Sequence, residues 1–196
     1  MHLLQRLCRA STAQFVMLAC VLVIAAPVHG QVVLYDNGQD AETGYYQVNF
    51  GASTTDSFIL PRAAAISNFT LILYDVDDRN LPERMKWTIS TQPFGGTILG
   101  SGVVPLDRLQ PPYLTRFLFF AWKVGFQIPN LDLPAGTYWI QLQDMTTRWL
   151  TLGYWAESNG PSEAYYAQAG TGTNGMAQRA VSESFSVSGA WADAAP

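Results

Sequence analysis

The sequence predicts an all-β fold, a two-sheet antiparallel β-sandwich that is jelly-roll-like. Three observations carry the prediction. Apolar residues recur with a period of two over strand-length segments, and turn residues punctuate those segments. Beyond residue 30, no run of ten or more residues shows a capped helical stripe.

Residues 1–30 read as a secretory signal. Arg6 and Arg9 give a positive start, no acid occurs before Asp36, and Phe15 to Val28 form an apolar stretch. That stretch is shorter than the roughly 20 residues a spanning helix needs. Val28 and Gly30 suit the small-residue positions before a cut, which places cleavage between Gly30 and Gln31. The expectation is release into the periplasm, the cell surface or the medium, with no stable membrane anchor.

Removing this leader changes the available chemistry. Both cysteines (Cys8, Cys20) and both histidines (His2, His29) lie within it. With Arg6 and Arg9 gone, nine basic residues face fifteen acidic ones. No basic stripe is left to track a phosphate backbone, so nucleic acid is not an expected partner. Nucleophilic sites that need imidazole or thiol, and zinc sites built on Cys and His, are excluded on the same ground. The remaining chain is of single-domain size and has no disulfide to staple it.

Along the chain, Asn37-Gly38 reads as a hairpin turn. Ala63-Ala64-Ala65-Ile66 reads as at most one helical turn, and Phe69–Tyr74, Met85–Ser90 and Tyr138–Gln143 read as strands. Pro93-Phe94-Gly95-Gly96, Leu133-Pro134-Ala135-Gly136 and Asn159-Gly160-Pro161 mark turns. Arg116 to Ile128 predicts a central strand. Leu118, Phe120, Trp122, Val124, Phe126 and Ile128 share one face, with Phe117, Phe119 and Ala121 on the other, where a loop is expected to cover them. Ala167 to Arg179, rich in glycine, predicts a loop before a last strand, Glu183 to Ser188. About ten strands spaced this way make one sandwich domain over residues 31–190, followed by a loose tail at 191–196.

Val33-Leu34-Tyr35-Asp36-Asn37-Gly38, Asp56-Ser57-Phe58-Ile59-Leu60, Leu133-Pro134-Ala135-Gly136-Thr137-Tyr138-Trp139 and Ser184-Phe185-Ser186-Val187-Ser188-Gly189 follow one another in order. Together they resemble the body of PEP-CTERM-type exported bacterial proteins. The resemblance implies a β-sandwich at the cell surface or in extracellular matrix. A Val-Pro-Glu-Pro box, an apolar helix and a basic end would follow in that group. Here the chain stops at Pro196, so release is the expectation rather than sorting by that route.

Two kinds of site are suggested. Flat rings with a polar edge stack on sugar faces, and Tyr45, Tyr46, Trp149, Tyr154, Trp155, Tyr165 and Tyr166 lie near turns or polar neighbours. They are the candidate polysaccharide-binding residues, with core packing as the plain alternative. Trp87, Trp122 and Trp139 lie mid-strand and are read as structural. Asp75, Asp77, Asp78 and Asn80 offer hard oxygen ligands on one loop, so calcium is the candidate ion there. The alternative is a solvated turn with Arg79 neutralising a neighbour. The phrase Asp36 to Glu42 is a second, similar candidate.

Paired carboxylates could also hydrolyse a glycosidic bond. Glu83, Glu157, Glu163 and Glu183 are available, and no spacing nominates a pair. Gly170-Thr171-Gly172-Thr173-Asn174-Gly175 matches a dinucleotide glycine pattern, but the helix such a site requires is not predicted after it. The expected function is therefore a non-catalytic surface or matrix protein. A carboxylate-dependent glycoside hydrolase and a structural module without a small ligand are the alternatives.

Overall fold

A computed structural model describes residues 31–168 and 178–192. The expected signal segment, most of the glycine-rich loop and residues 193–196 lie outside them. The strands, in chain order, are β1 (Val32–Asp36), β2 (Asp40–Gln47), β3 (Ala52–Leu60), β4 (Ala64–Asp75), β5 (Pro82–Gln92), β6 (Gly95–Pro105) and β7 (Asp107–Arg108). Next come β8 (Tyr113–Leu114), β9 (Phe120–Leu133), β10 (Gly136–Thr147), β11 (Tyr154–Ser158), β12 (Ala164–Gln168), β13 (Gln178–Ala180) and β14 (Phe185–Trp191). Among the described residues, no helix is long and apolar enough to cross a membrane.

The strands form two antiparallel sheets. The six-stranded sheet has the order β13-β12-β3-β10-β5-β6. In the eight-stranded sheet β4 is the spine. Along one side it pairs with β9 over its whole length, from Ala64↔Leu133 to Asp75↔Phe120. Its other side is shared, with β14 taking Ala64 to Leu71 and β11 taking Leu73 and Tyr74. β1 then adds to β14 and β2 adds to β11.

Four expectations change in detail. Asn37-Gly38 is not a hairpin turn, because β1 and β2 do not pair with each other. They lie end to end on different partners, and Gly38 (φ +91°) makes the jog between them. Ala64 to Ile66 begins β4, since both Leu133 and Trp191 offer Ala64 a ladder partner. The last strand runs on to Trp191, whose ring lies 4.7 Å from the Arg62 guanidinium, so this residue belongs to the domain and not to the tail.

The central strand also starts later than expected, at Phe120. A tight loop closes before it, with Thr115 N donating to Phe119 O (2.8 Å) and Leu118 N donating to Thr115 O (3.0 Å). Leu118 adopts φ +63° and stands 75% exposed, not in the core. The same loop turns Phe117 and Phe119 onto the outer face of the sheet, against Ile72, Tyr74, Ala121 and Ala156. The expected covering loop is thus made by these two rings themselves.

Between the sheets lies the main core. β9 contributes Trp122, Val124, Phe126 and Ile128, which meet Phe69 and Leu71 of β4, Phe58 and Leu60 of β3, and Trp87 and Ile89 of β5. Phe69 and Phe126 stack at 5.3 Å. Each fully buried ring or aliphatic side chain stabilises the fold by about 1.5–3 kcal/mol. With no cysteine among the described residues, that burial substitutes for disulfides.

Candidate functional site

Period two sorts the seven candidate rings. Neighbouring residues in a strand face opposite ways, so each pair Tyr45-Tyr46, Tyr154-Trp155 and Tyr165-Tyr166 is split. Tyr45 and Tyr154 turn outward and meet at 4.8 Å, with Phe119 5.0 Å from Tyr45 and 5.4 Å from Tyr154. All three are half-buried. Trp155 turns inward and is fully buried, its Nε1 donating to Ser184 O (2.9 Å), so it is a core residue and not a ligand-stacking one. Tyr46 and Tyr166 pair at 5.4 Å. Tyr165 packs on Trp139 at 5.6 Å, and Trp149 stands on the loop after β10 under the Arg148 guanidinium. The seven therefore make one outer pair, one inner pair and three separate rings.

A groove of about 200 Å³ runs beside the Tyr45–Tyr154 patch. Asp36, Gln39, Thr70, Ile72, Lys123, Ser184 and Ser186 line it, over the line where β1 gives way to β2. Ile72 belongs both to the groove and to the aromatic cluster, so the two are continuous. Its hydroxyls, amide, carboxylate and ammonium, next to flat rings, are the mixture a sugar polymer needs. Sequence reasoning found the rings and the Asp36–Glu42 phrase that holds Gln39, and missed Lys123 and Ser186, which come from strands that only the topology brings together.

A second hollow lies around the other side of the same jog, lined by Asp36 to Ala41 and Asn159 to Pro161. In the Asp36–Glu42 phrase the carboxylates already have protein partners. Asp40 accepts from Tyr74 OH (2.5 Å), Tyr113 OH (2.7 Å) and Glu42 N (2.8 Å), while Asp36 accepts from Gly38 N (3.0 Å). Burial, and then the bond to Asp40, push both phenols above the usual tyrosine range.

The four residues of the other ion candidate divide between two roles. Asp75 and Asn80 are fully buried. Asn80 Nδ2 donates to both Asp75 oxygens (3.0 Å each), and Thr151 Oγ1 (2.7 Å) and Asp77 N (3.2 Å) donate to them as well. Asn80 Oδ1 accepts from Trp149 N (2.8 Å), which ties this loop to the one after β10. Asp77 and Asp78 instead face Arg79, 3.7 Å from each. Among the described residues, no group of three or more acids, histidines or cysteines is arranged to hold a metal ion.

A third group was not nominated by the sequence. Glu157 of β11 and Glu183, just before β14, lie directly opposite one another in an isolated bridge. Glu157 is nearly buried, and Glu183 and Asp56 of β3 are wholly so. Asp56 is satisfied: Ser57 N, Glu183 N (both 2.6 Å) and Asn37 Nδ2 (3.2 Å) donate to it. Burial still pushes its carboxyl up to about 7. Among the described residues, neither carboxyl oxygen of Glu183 has a hydrogen-bond partner. Burial, then the negative charges of Asp56 and Glu157, push that group well above the carboxylate range.

Asn37 holds this region together. It is fully buried, and its amide lies within 2.6–3.2 Å of Asp56 Oδ2, Ser162 Oγ, Ser182 Oγ and Glu183 O, linking the two sheets. Ser182 and Ser184 beside the glutamate, and Ser158 beside Glu157, are the small polar residues that could have signalled a polar interior.

No family model matches the chain, and no curated protein matches it. Among solved structures it is similar to a chain of the structure of infectious bursal disease virus Gx strain, at 13% identity and a TM-score of 0.24. That likeness covers 82% of this chain and spans only 38% of the viral one, and at such a score it carries no argument.

Proposed function

We propose that the protein is an exported, non-catalytic surface or matrix β-sandwich of the PEP-CTERM-like, jelly-roll-like kind, and that it binds polysaccharide on the outer face of the eight-stranded sheet. The observation that carries this reading is the continuity of the polar groove with the Tyr45–Tyr154–Phe119 patch through Ile72. Rings at the rim would stack on sugar faces, while Asp36, Gln39 and Lys123 would meet hydroxyls. Calcium enters this reading as an optional structural ion at the Asp75–Asn80 loop, and its measure is a calcium-dependent melting shift.

Affinity electrophoresis through gels cast with neutral and acidic polysaccharides tests the reading. Affinity should fall about fivefold or more in Tyr45→Ala/Tyr154→Ala with the fold retained, taking each ring–sugar stack as comparable to an aromatic pair at roughly 0.5–1.5 kcal/mol. Unretarded wild type on every polymer would remove it. That outcome favours the structural module, which the scatter of the other five rings also supports. A hydrolase built on Glu157 and Glu183 gains nothing from their pairing, because Glu183 is sealed from any sugar.

A further inference from the structure

Glu183 sits where the eight-stranded sheet changes partners. Ser158 N donates to Ser182 O and Ser184 N to Ala156 O, both at 2.7 Å, so residues 182–184 run beside β11 before β14 passes to β4. The side chain of Glu183 is enclosed there without a donor for either oxygen. Glu157 faces it from β11, Asp56 from β3 and Tyr46 from β2, while Tyr35 of β1 faces Asp56. Among the described residues, no basic side chain is a cause of the shift at Glu183 or Asp56. Gly44 of β2 leaves room for Glu157, since a β-carbon there would lie 2.6 Å from the Glu157 carboxyl.

An ionised carboxylate in such a place has no donor among the described residues, and its neighbours are two more acids. Desolvation penalises a charge held this way, whereas neutralisation removes most of that penalty. We propose that Glu183 is a proton-binding site: the domain closes around its neutral form, and loss of that proton loosens the seam between β11, β14 and β2. The exchange is a plain proton transfer to solvent water or buffer base. The folded state holds the proton more tightly than the unfolded chain. Its contribution to stability is therefore complete below the ordinary glutamate range and is lost as pH rises through the folded-state value. Tyr46 lies close enough to feel the charges of Glu157 and Glu183 and pairs with Tyr166, so opening the seam would disturb that inner pair of rings.

The test is thermal melting of the intact protein from about pH 5 to about pH 8, with chelator and again with excess calcium, for wild type and Glu183→Gln. The melting temperature of wild type should fall across this range more steeply than that of the variant, and the variant should melt higher than wild type at the alkaline end. Infrared spectroscopy of wild type gives a readout independent of the variant's folding. A protonated carboxyl band should persist above pH 7, beyond the share that Asp56 with its value of about 7 supplies, and that excess should be lost in Glu183→Gln. Equal pH slopes, or no such band in folded wild type, would overturn the proposal. So would a calcium-induced rise in wild type that Glu183→Gln abolishes, because the ligand would then be a cation.

Discussion

Asp75 and Glu183 are both fully buried carboxyl groups in the same sheet, yet they are treated in opposite ways. Four hydrogen bonds converge on Asp75 from Asn80, Thr151 and the Asp77 amide. None reaches the side chain of Glu183, whose backbone amide instead serves Asp56. Asp75 joins two loops at one end of the sandwich, while Glu183 sits mid-sheet where strands exchange partners. Burial raises both carboxyls, but at Asp75 the hydrogen bonds oppose that rise, while at Glu183 the neighbouring acids add to it.

The largest effect should come from removing the anchor. Asp75→Ala removes four hydrogen bonds and leaves Asn80 Nδ2 with Thr151 Oγ1 alone, and it should cost about 3–5 kcal/mol, read by urea unfolding. If it costs no more than Glu183→Ala, the contrast between the two centres collapses. Asn37→Ala should come next, at about 2–3 kcal/mol, because Asp56 and Ser182 lose a shared donor. Its penalty should shrink at acid pH, where Asp56 with its value near 7 is neutral and needs fewer donors. The smallest effect, about 1 kcal/mol, is expected for Gly44→Ala, which pushes on the Glu157 carboxyl. That cost should diminish in Glu157→Gly/Gly44→Ala, and an undiminished cost would place the clash elsewhere.

The fold was legible because burial imposes period two on every core strand. Trp122, Val124, Phe126 and Ile128 show the pattern and are all in the core. Leu118 continued it in sequence but not in space, because a tight loop breaks the alternation at a residue with positive φ. The candidate site was less legible, for two physical reasons. Adjacent tyrosines look alike in sequence while the pleat sends one inward and the other outward, which is why Trp155 is core and Tyr154 is surface. Glu157 and Glu183 meet only because residues 182–184 run beside β11 before β14 pairs with β4, a choice of partner that no local pattern encodes.

β14 also lies between β1 and β4, pairing Val32 with Gly189 and Trp191 with Ala64. A polypeptide emerging from the ribosome amino end first therefore presents β1 long before β14, the ladder partner described for it, exists. Completion of the larger sheet waits for β14, which makes this a chain of late, long-range closure and slow folding. Deleting β14 should yield an expanded, protease-sensitive product rather than a trimmed domain.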